Sequence, residues 1–173
     1  MDRTSNVVLG ARHGSPEGRS RGASVTAKAR AEVTTTIKVA RDKAFDAWLT
    51  ADRLARFLCA GDTHVESVEV DPRVGGAFRV VMANAKGSYD HRGRYVEIER
   101  PARLRFTWAS AATNGNDTEV TVTFEDVEDG TRVTLVHVSL PDAPAAERHE
   151  RGWTSILAKC RDELESAGSQ SAC

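Results

Sequence analysis

Between about Pro144 and Leu164 the chain reads PAAERHERGWTSILAKCRDEL, in which His149, Gly152, Trp153, Ile156, Leu157, Cys160 and Leu164 recur at steps of three and four. Those steps put the set along one face of an α-helix, with Glu147, Arg148, Glu150, Arg151, Lys159 and Arg161 filling the other faces. A stripe of that width is stable in water only when something covers it. Upstream, from about Glu32 to Leu140, apolar and polar residues alternate with the two-residue period of strands. A curved sheet with one apolar face is the matching cover.

At 173 residues the chain is long enough for one domain with a substantial core and short for two. A formal net charge of -1 gives no global attraction to nucleic acid or to an anionic bilayer, so neither is expected as a partner. No apolar run approaches the roughly 20 residues that span a membrane, and no apolar h-region precedes a small-residue cleavage site. No membrane insertion is expected, and the cytoplasm is the expected location. Cys59, Cys160 and Cys173 are an odd, widely spaced set without a CxxC pair, which reads as reduced thiols. The five histidines lack metal-ligand spacing, and HExxH, GxSxG, P-loop and GxGxxG patterns are absent, so neither metal nor cofactor is expected.

Residues 1–30 carry six basic residues against Asp2 and Glu17, with Gly, Ser and Ala between them, and are read as a disordered basic leader. A nucleic-acid tail or an organellar transit peptide would suit the charge but lacks an amphipathic period. A mis-assigned start, with Val25 as the true one in a bacterial source, is a further reading. From Ala31 to Ala40 the text AEVTTTIKVA puts Val33, Thr35, Ile37 and Val39 in phase and predicts the first strand. RDKAFDAWL, Arg41 to Leu49, switches to a helical period; Thr50, Ala51 and Asp52 break it before a second short helix at about Arg53 to Leu58.

Strands are then expected at Thr63 to Val70, at Ala77 to Met82 after the DPRVGG turn, at Ser88 to Glu99, and at Arg103 to Ala109 after Pro101. Two more follow, at Thr118 to Val127 and, past the Glu128 to Gly130 turn, at Thr131 to Leu140. Hairpin-length links between the late strands imply an antiparallel sheet, and seven such strands must curl. The domain is expected over residues 31–165, with 166–173 a flexible tail.

In this order, AFDAWLTADRLARF, DPRVGGAFRVVM, GRYVEIERPARLRFTW from Gly93, VTVTFEDVEDGTRVTLVHVSLP from Val120 and HERGW from His149 resemble the START-like (SRPBCC) superfamily. Its helix-grip fold is also that of the birch pollen allergen. Within it, the likeness is to the bacterial branch homologous to the activator of heat shock protein 90 ATPase. It covers about Ala31 to Leu164. It implies an α+β helix-grip fold: a curved seven-stranded antiparallel sheet wrapped around a long C-terminal helix, with two short helices between strands 1 and 2. The family commonly has a tryptophan just after the second short helix, where this chain reads Phe57, Leu58, Cys59. Members range from co-chaperone domains through small-molecule carriers to enzymes, so the fold does not supply the function.

The resemblance implies a site in a cavity between sheet and helix. The in-phase strand residues Phe78, Val80, Met82, Phe106, Trp108, Val122, Phe124, Leu135 and His137 are the expected lining, with His149, Gly152, Trp153, Ile156 and Leu157 from the helix. Tyr95 is included, although Val96 and Ile98 compete with it for the inward face. A mostly apolar pocket with a few polar groups suits a small lipophilic or aromatic molecule, so a non-catalytic ligand-binding domain is the leading reading. A cyclase-, aromatase- or hydrolase-like enzyme is one alternative, with His137, His149 and an inward Glu97 as acid or base. A co-chaperone-type or partner-protein interaction module is the other, using Arg92, Arg94, Arg100, Arg103 and Arg105 toward an acidic partner. Gly152 inside a helix costs about 1 kcal/mol relative to alanine, which implies close approach by sheet backbone or room for a ligand. The plainer accounts are a dry core, hydrogen-bonded core histidines and a solvated outer sheet face. A monomer and a homodimer fit equally well.

Overall fold

The computed structural model describes residues 29–170, so the basic leader read over residues 1–30 lies almost wholly outside the described residues. Strand β1 (Ala29–Ile37) leads into the short helices α1 (Arg41–Ala47) and α2 (Ala51–Phe57). Strands β2 (His64–Val70), β3 (Ala77–Asn84), β4 (Gly87–Glu99) and β5 (Arg103–Ser110) follow. A single 3-10 turn at Ala111–Thr113 precedes β6 (Thr118–Val127) and β7 (Gly130–Leu140), and α3 (Ala143–Gln170) closes the chain. All seven strands join one antiparallel sheet in the order β1-β7-β6-β5-β4-β3-β2. It is a meander from β2 to β7 whose far edge is completed by β1. The sheet is open and curved around α3, the α+β helix-grip architecture that the residues imply.

Helix α3 begins where Pro141 ends the last strand. Asp142 caps it: the Ala145 N–H donates to Asp142 Oδ1 at 2.7 Å, satisfying one of the free donors of the first turn. Its 28 residues extend about 42 Å along the sheet, packed chiefly on β1 and also touching β7 and α2. The buried stripe runs through Ala145, Ala146, Trp153, Ile156, Leu157, Cys160 and Leu164. Lys159 holds the helix to the loop after α2, donating to the carbonyls of Cys59 (3.0 Å) and Gly61 (2.9 Å).

Two irregularities set which side chains face the helix. Opposite β5, Tyr95 pairs with Phe106 but Glu97 pairs with Arg105, so Val96 is the extra residue of a bulge. Tyr95 is therefore buried and Ile98 packs against the core as well, an odd spacing that simple alternation forbids. In β7 the register slips between the pairs Ala29↔Leu140 and Ala31↔His137, with Ser139 at φ 66°. His137 and Leu140 are both fully buried as a result. Gly93 is required by close approach: a Cβ there would sit 1.9 Å from the Thr107 carbonyl oxygen and 2.4 Å from the Phe78 ring.

The core is aromatic along the β3–β5 half. Trp108 lies 5.0 Å from Trp153 and 6.0 Å from Phe78, centroid to centroid, and Phe78 meets Phe106 edge-on at 5.5 Å. Phe45 of α1 stands edge-on to Phe124 at 5.2 Å, which plugs the other end. Such pairs contribute roughly 0.5–1.5 kcal/mol each beyond the area they bury. Phe57 stacks on Trp48 at 5.4 Å and Cys59 is buried just beyond it. That is how this chain fills the place where tryptophan is common.

Candidate functional site

Space remains where β3, β4 and β5 pass the first half of α3. A cleft of about 160 Å³ opens there, walled by Met82, Trp108, Trp153 and Ile156, with Ala60, Ala112 and Gly152 as small residues on its sides and His91, Arg148 and His149 at polar positions. A second groove of about 570 Å³ shares Ala60, Met82, His91 and Ala112 with it and runs out past Asn84, Ser88, Tyr89 and Ser110. Deeper in, between α2 and the β3–β5 aromatics, only about 20 Å³ is free, room for about one water molecule.

Gly152 lies on the cleft wall, and its nearest neighbour to a built Cβ is the Ala60 Cβ at 3.5 Å, an ordinary van der Waals distance. No sheet backbone presses on it. The helix therefore carries a weakening residue whose missing methyl leaves space in the cleft.

His137 is closed into the core. Trp153 Nε1–H donates to His137 Nδ1 at 3.0 Å, and since an indole nitrogen can only donate, Nδ1 must be the bare nitrogen. The proton then sits on Nε2 and is donated to Thr118 Oγ1 at 2.7 Å, while that hydroxyl donates to the Trp108 carbonyl at 2.6 Å. This chain of hydrogen bonds uses every polar atom of the ring and ties α3 to β7, β6 and β5. Burial, with a smaller contribution from His149, lowers the His137 pKa to about 3.

His149 sits edge-on to His137 with centroids 4.7 Å apart. Its Nδ1 lies 2.7 Å from the Ala145 carbonyl one helical turn back, an acceptor only, so Nδ1 carries the proton. Nε2 of this cleft-lining ring is a lone pair with no partner among the described residues. Burial lowers the His149 pKa, partly offset by the Ala145 bond and reinforced by the charge on Arg148. Across the cleft, His91 rests on Trp108 at 4.9 Å, and its Nδ1 is buried without a hydrogen bond. Burial lowers its pKa too; the nearby Tyr89 and Val80 carbonyls offset part of that without reaching hydrogen-bond geometry.

Of the residues expected to line a cavity, Met82, Trp108, His149, Gly152, Trp153 and Ile156 meet at the cleft. Phe78, Val80, Tyr95 and Phe106 border the small inner void with Trp108. Val122, Phe124, Leu135, His137 and Leu157 are fully buried in the packed core and touch neither space. Glu97 lies on the outer face, bonded to Arg103 at 2.8 Å and 3.4 Å from Arg105. Ala60, Ala112 and Arg148 carry no signal of their own in the sequence, and His91 lies with Asp90, Tyr95 and Glu97 on the one strand whose inward face the residues alone leave open. His91 was within reach, because it shares the phase of Gly93 and Tyr95 once Tyr95 is known to face inward.

The basic strip is largely neutralised by its own neighbours. Arg92 pairs with Asp90 at 2.5 Å, Arg103 with Glu97 and Glu99, Arg105 with Glu97 and Glu119, and Arg100 with Asp46. Arg94 donates to the Gly75 carbonyl. Among the described residues no helix is long and apolar enough to cross a membrane, and no cluster of three or more His, Cys, Asp or Glu is placed to hold a metal.

A curved antiparallel sheet gripping one long helix, with an apolar cleft between them, defines a domain of the START-like type. The chain belongs to the family described as activator of Hsp90 ATPase homolog 1-like protein, whose sequence model matches residues 38–165. No curated protein sequence matches this one. The solved structure of an AHSA1 protein from Silicibacter pomeroyi is 29% identical, with a TM-score of 0.68 over 79% of this chain and 97% of that one. An AHSA1-like protein from Aeromonas hydrophila is 28% identical, with a TM-score of 0.66 over 81% and 94%. A protein from Chromobacterium violaceum shares the fold at 22% identity, with a TM-score of 0.70 over 79% and 96%.

Proposed function

We propose that this protein is a non-catalytic binding domain that holds a small, largely apolar molecule in the cleft between α3 and the β3–β5 strands. The observation that carries the reading is the cleft wall itself: Met82, Trp108, Trp153 and Ile156 around about 160 Å³, entered beside a glycine that no packing demands. A dry apolar cavity of about 150 Å³ takes a molecule the size of benzene. A single aromatic or alicyclic ring therefore fits the inner cleft, and a substituent would lie along the outer groove. The family membership is consistent with such a role and does not name a ligand.

Two features weigh against acid–base catalysis by the groups the sequence singled out. Both nitrogens of His137 are engaged inside the core, and Glu97 is ion-paired on the opposite face of the sheet. A catalytic pair must converge on one point of the cavity, and of these three residues only His149 reaches the cleft. The ion-paired arginines likewise offer little free positive charge to an acidic protein partner.

Native mass spectrometry of freshly purified protein tests the reading. A co-purifying small molecule that is lost on Gly152→Leu substitution, while the fold is retained, is the expected result. No bound mass, together with no thermal shift across a panel of lipophilic and aromatic compounds, would overturn it.

A further inference from the structure

We infer that the molecule taken by the cleft carries a hydroxyl group on its ring, a phenol in the simplest case, and that His149 Nε2 accepts the hydrogen bond from that hydroxyl. The inference rests on the binding role proposed above and adds the chemistry of the ligand.

The proton positions decide which group the cleft accepts. His149 has committed its Nδ1–H to the Ala145 carbonyl, so the nitrogen left open at the cleft is an acceptor. The ring cannot turn to offer a donor without abandoning a 2.7 Å bond inside its own helix. A hydrocarbon bound over that lone pair would take it from water and give it no partner, which costs free energy. A carboxylate would bring its own lone pairs against it. Arg148 also borders the cleft, but its side chain is exposed and its charge stays hydrated. A hydroxyl donates to His149 and keeps its oxygen lone pairs for a second contact. His91 faces the same cleft from β4. The lowered pKa of His149 supports the neutral, accepting form.

Phenol, toluene and benzoate share one ring and differ in the group presented to His149, so they separate the possibilities. Titrations followed by protein NMR should give phenol an affinity roughly tenfold above toluene and benzoate, the worth of one buried hydrogen bond. In protein with 15N-labelled histidine, phenol should shift the His149 Nε2 resonance and leave that of His137 unmoved. His149→Phe should bring phenol down to the level of toluene while toluene still binds, which also shows that the variant is folded; His149→Gln, with an amide oxygen as acceptor, should recover part of the preference. Toluene or benzoate binding as tightly as phenol, or a phenol preference that survives His149→Phe, would overturn the inference and leave the binding role standing. Failure of all three compounds to bind would overturn both.

Discussion

A histidine whose two nitrogens are both spoken for is a poor proton carrier and a good fastener. His137 goes from about 6.5 in the unfolded chain to about 3 in the fold, so between those values the unfolded state holds the extra proton. Stability is complete above pH 6.5, falls as the pH drops below it, and has lost the full contribution near pH 3. Burial of His91 and His149 acts in the same direction. Urea unfolding from pH 7.5 to 4.5 should show a loss from His137 approaching about 1.4 kcal/mol per pH unit below pH 6.5, at most. A His137→Gln variant should be less stable at pH 7 but flatter across the range. Gly152 makes the opposite kind of prediction. Gly152→Ala should raise stability by about 0.5–1 kcal/mol in denaturant midpoint experiments, because a helical alanine replaces a glycine and only Ala60 is near. The same methyl enters the cleft, so ligand affinity should fall as stability rises.

The strands act through their register. The Val96 bulge turns both Tyr95 and Ile98 toward the core and sends Glu97 outward to Arg103 and Arg105. Deleting Val96 would restore plain alternation with Tyr95 inward, Glu97 outward and Ile98 inward, so both apolar side chains keep their places. The expected change is within about 0.5 kcal/mol, measured as a nearly unchanged urea midpoint, with the Glu97 ion pairs retained. Truncating Val96 to Ala keeps the bulge and should cost little, since Val96 is exposed. These elements also show what was legible beforehand. The alternation of Phe78, Val80 and Met82 and of Val120, Val122 and Phe124 identified β3 and β6 and their inward faces. In β4 the same rule failed, because Tyr95, Val96 and Ile98 are all apolar and a bulge leaves no mark in the residues that make it. The facing of His91 stays open in the sequence for the same reason.

For the molecule as a whole, a ligand that binds only the folded state adds its binding free energy to the fold. At a concentration of 100 times Kd the gain is about 2.7 kcal/mol, or roughly 5–10 °C in Tm for a domain of this size. The shift should be abolished when Gly152→Leu fills the cleft and preserved in variants of the outer ion pairs, such as Arg103→Ala. Scanning calorimetry with and without ligand checks it. A loss of the shift in the outer-face variant would move the site to the other side of the sheet.

The residues alone determined what depends on neighbours close in the chain: seven strands from their alternation, two short helices from a change of period, and the face of α3 from a stripe at steps of three and four. They also carried the family likeness, because its motifs are local strings of residues. Tertiary structure decided everything that depends on atoms brought together from far apart. Whether His137 is a base or a fastener turns on Thr118 and Trp153, which come from another strand and from the helix. Whether Gly152 serves packing or space turns on Ala60, far back in the chain. The size of the cleft is the small remainder after large side chains from both layers have packed, and a remainder of that kind has no signature in any one of them.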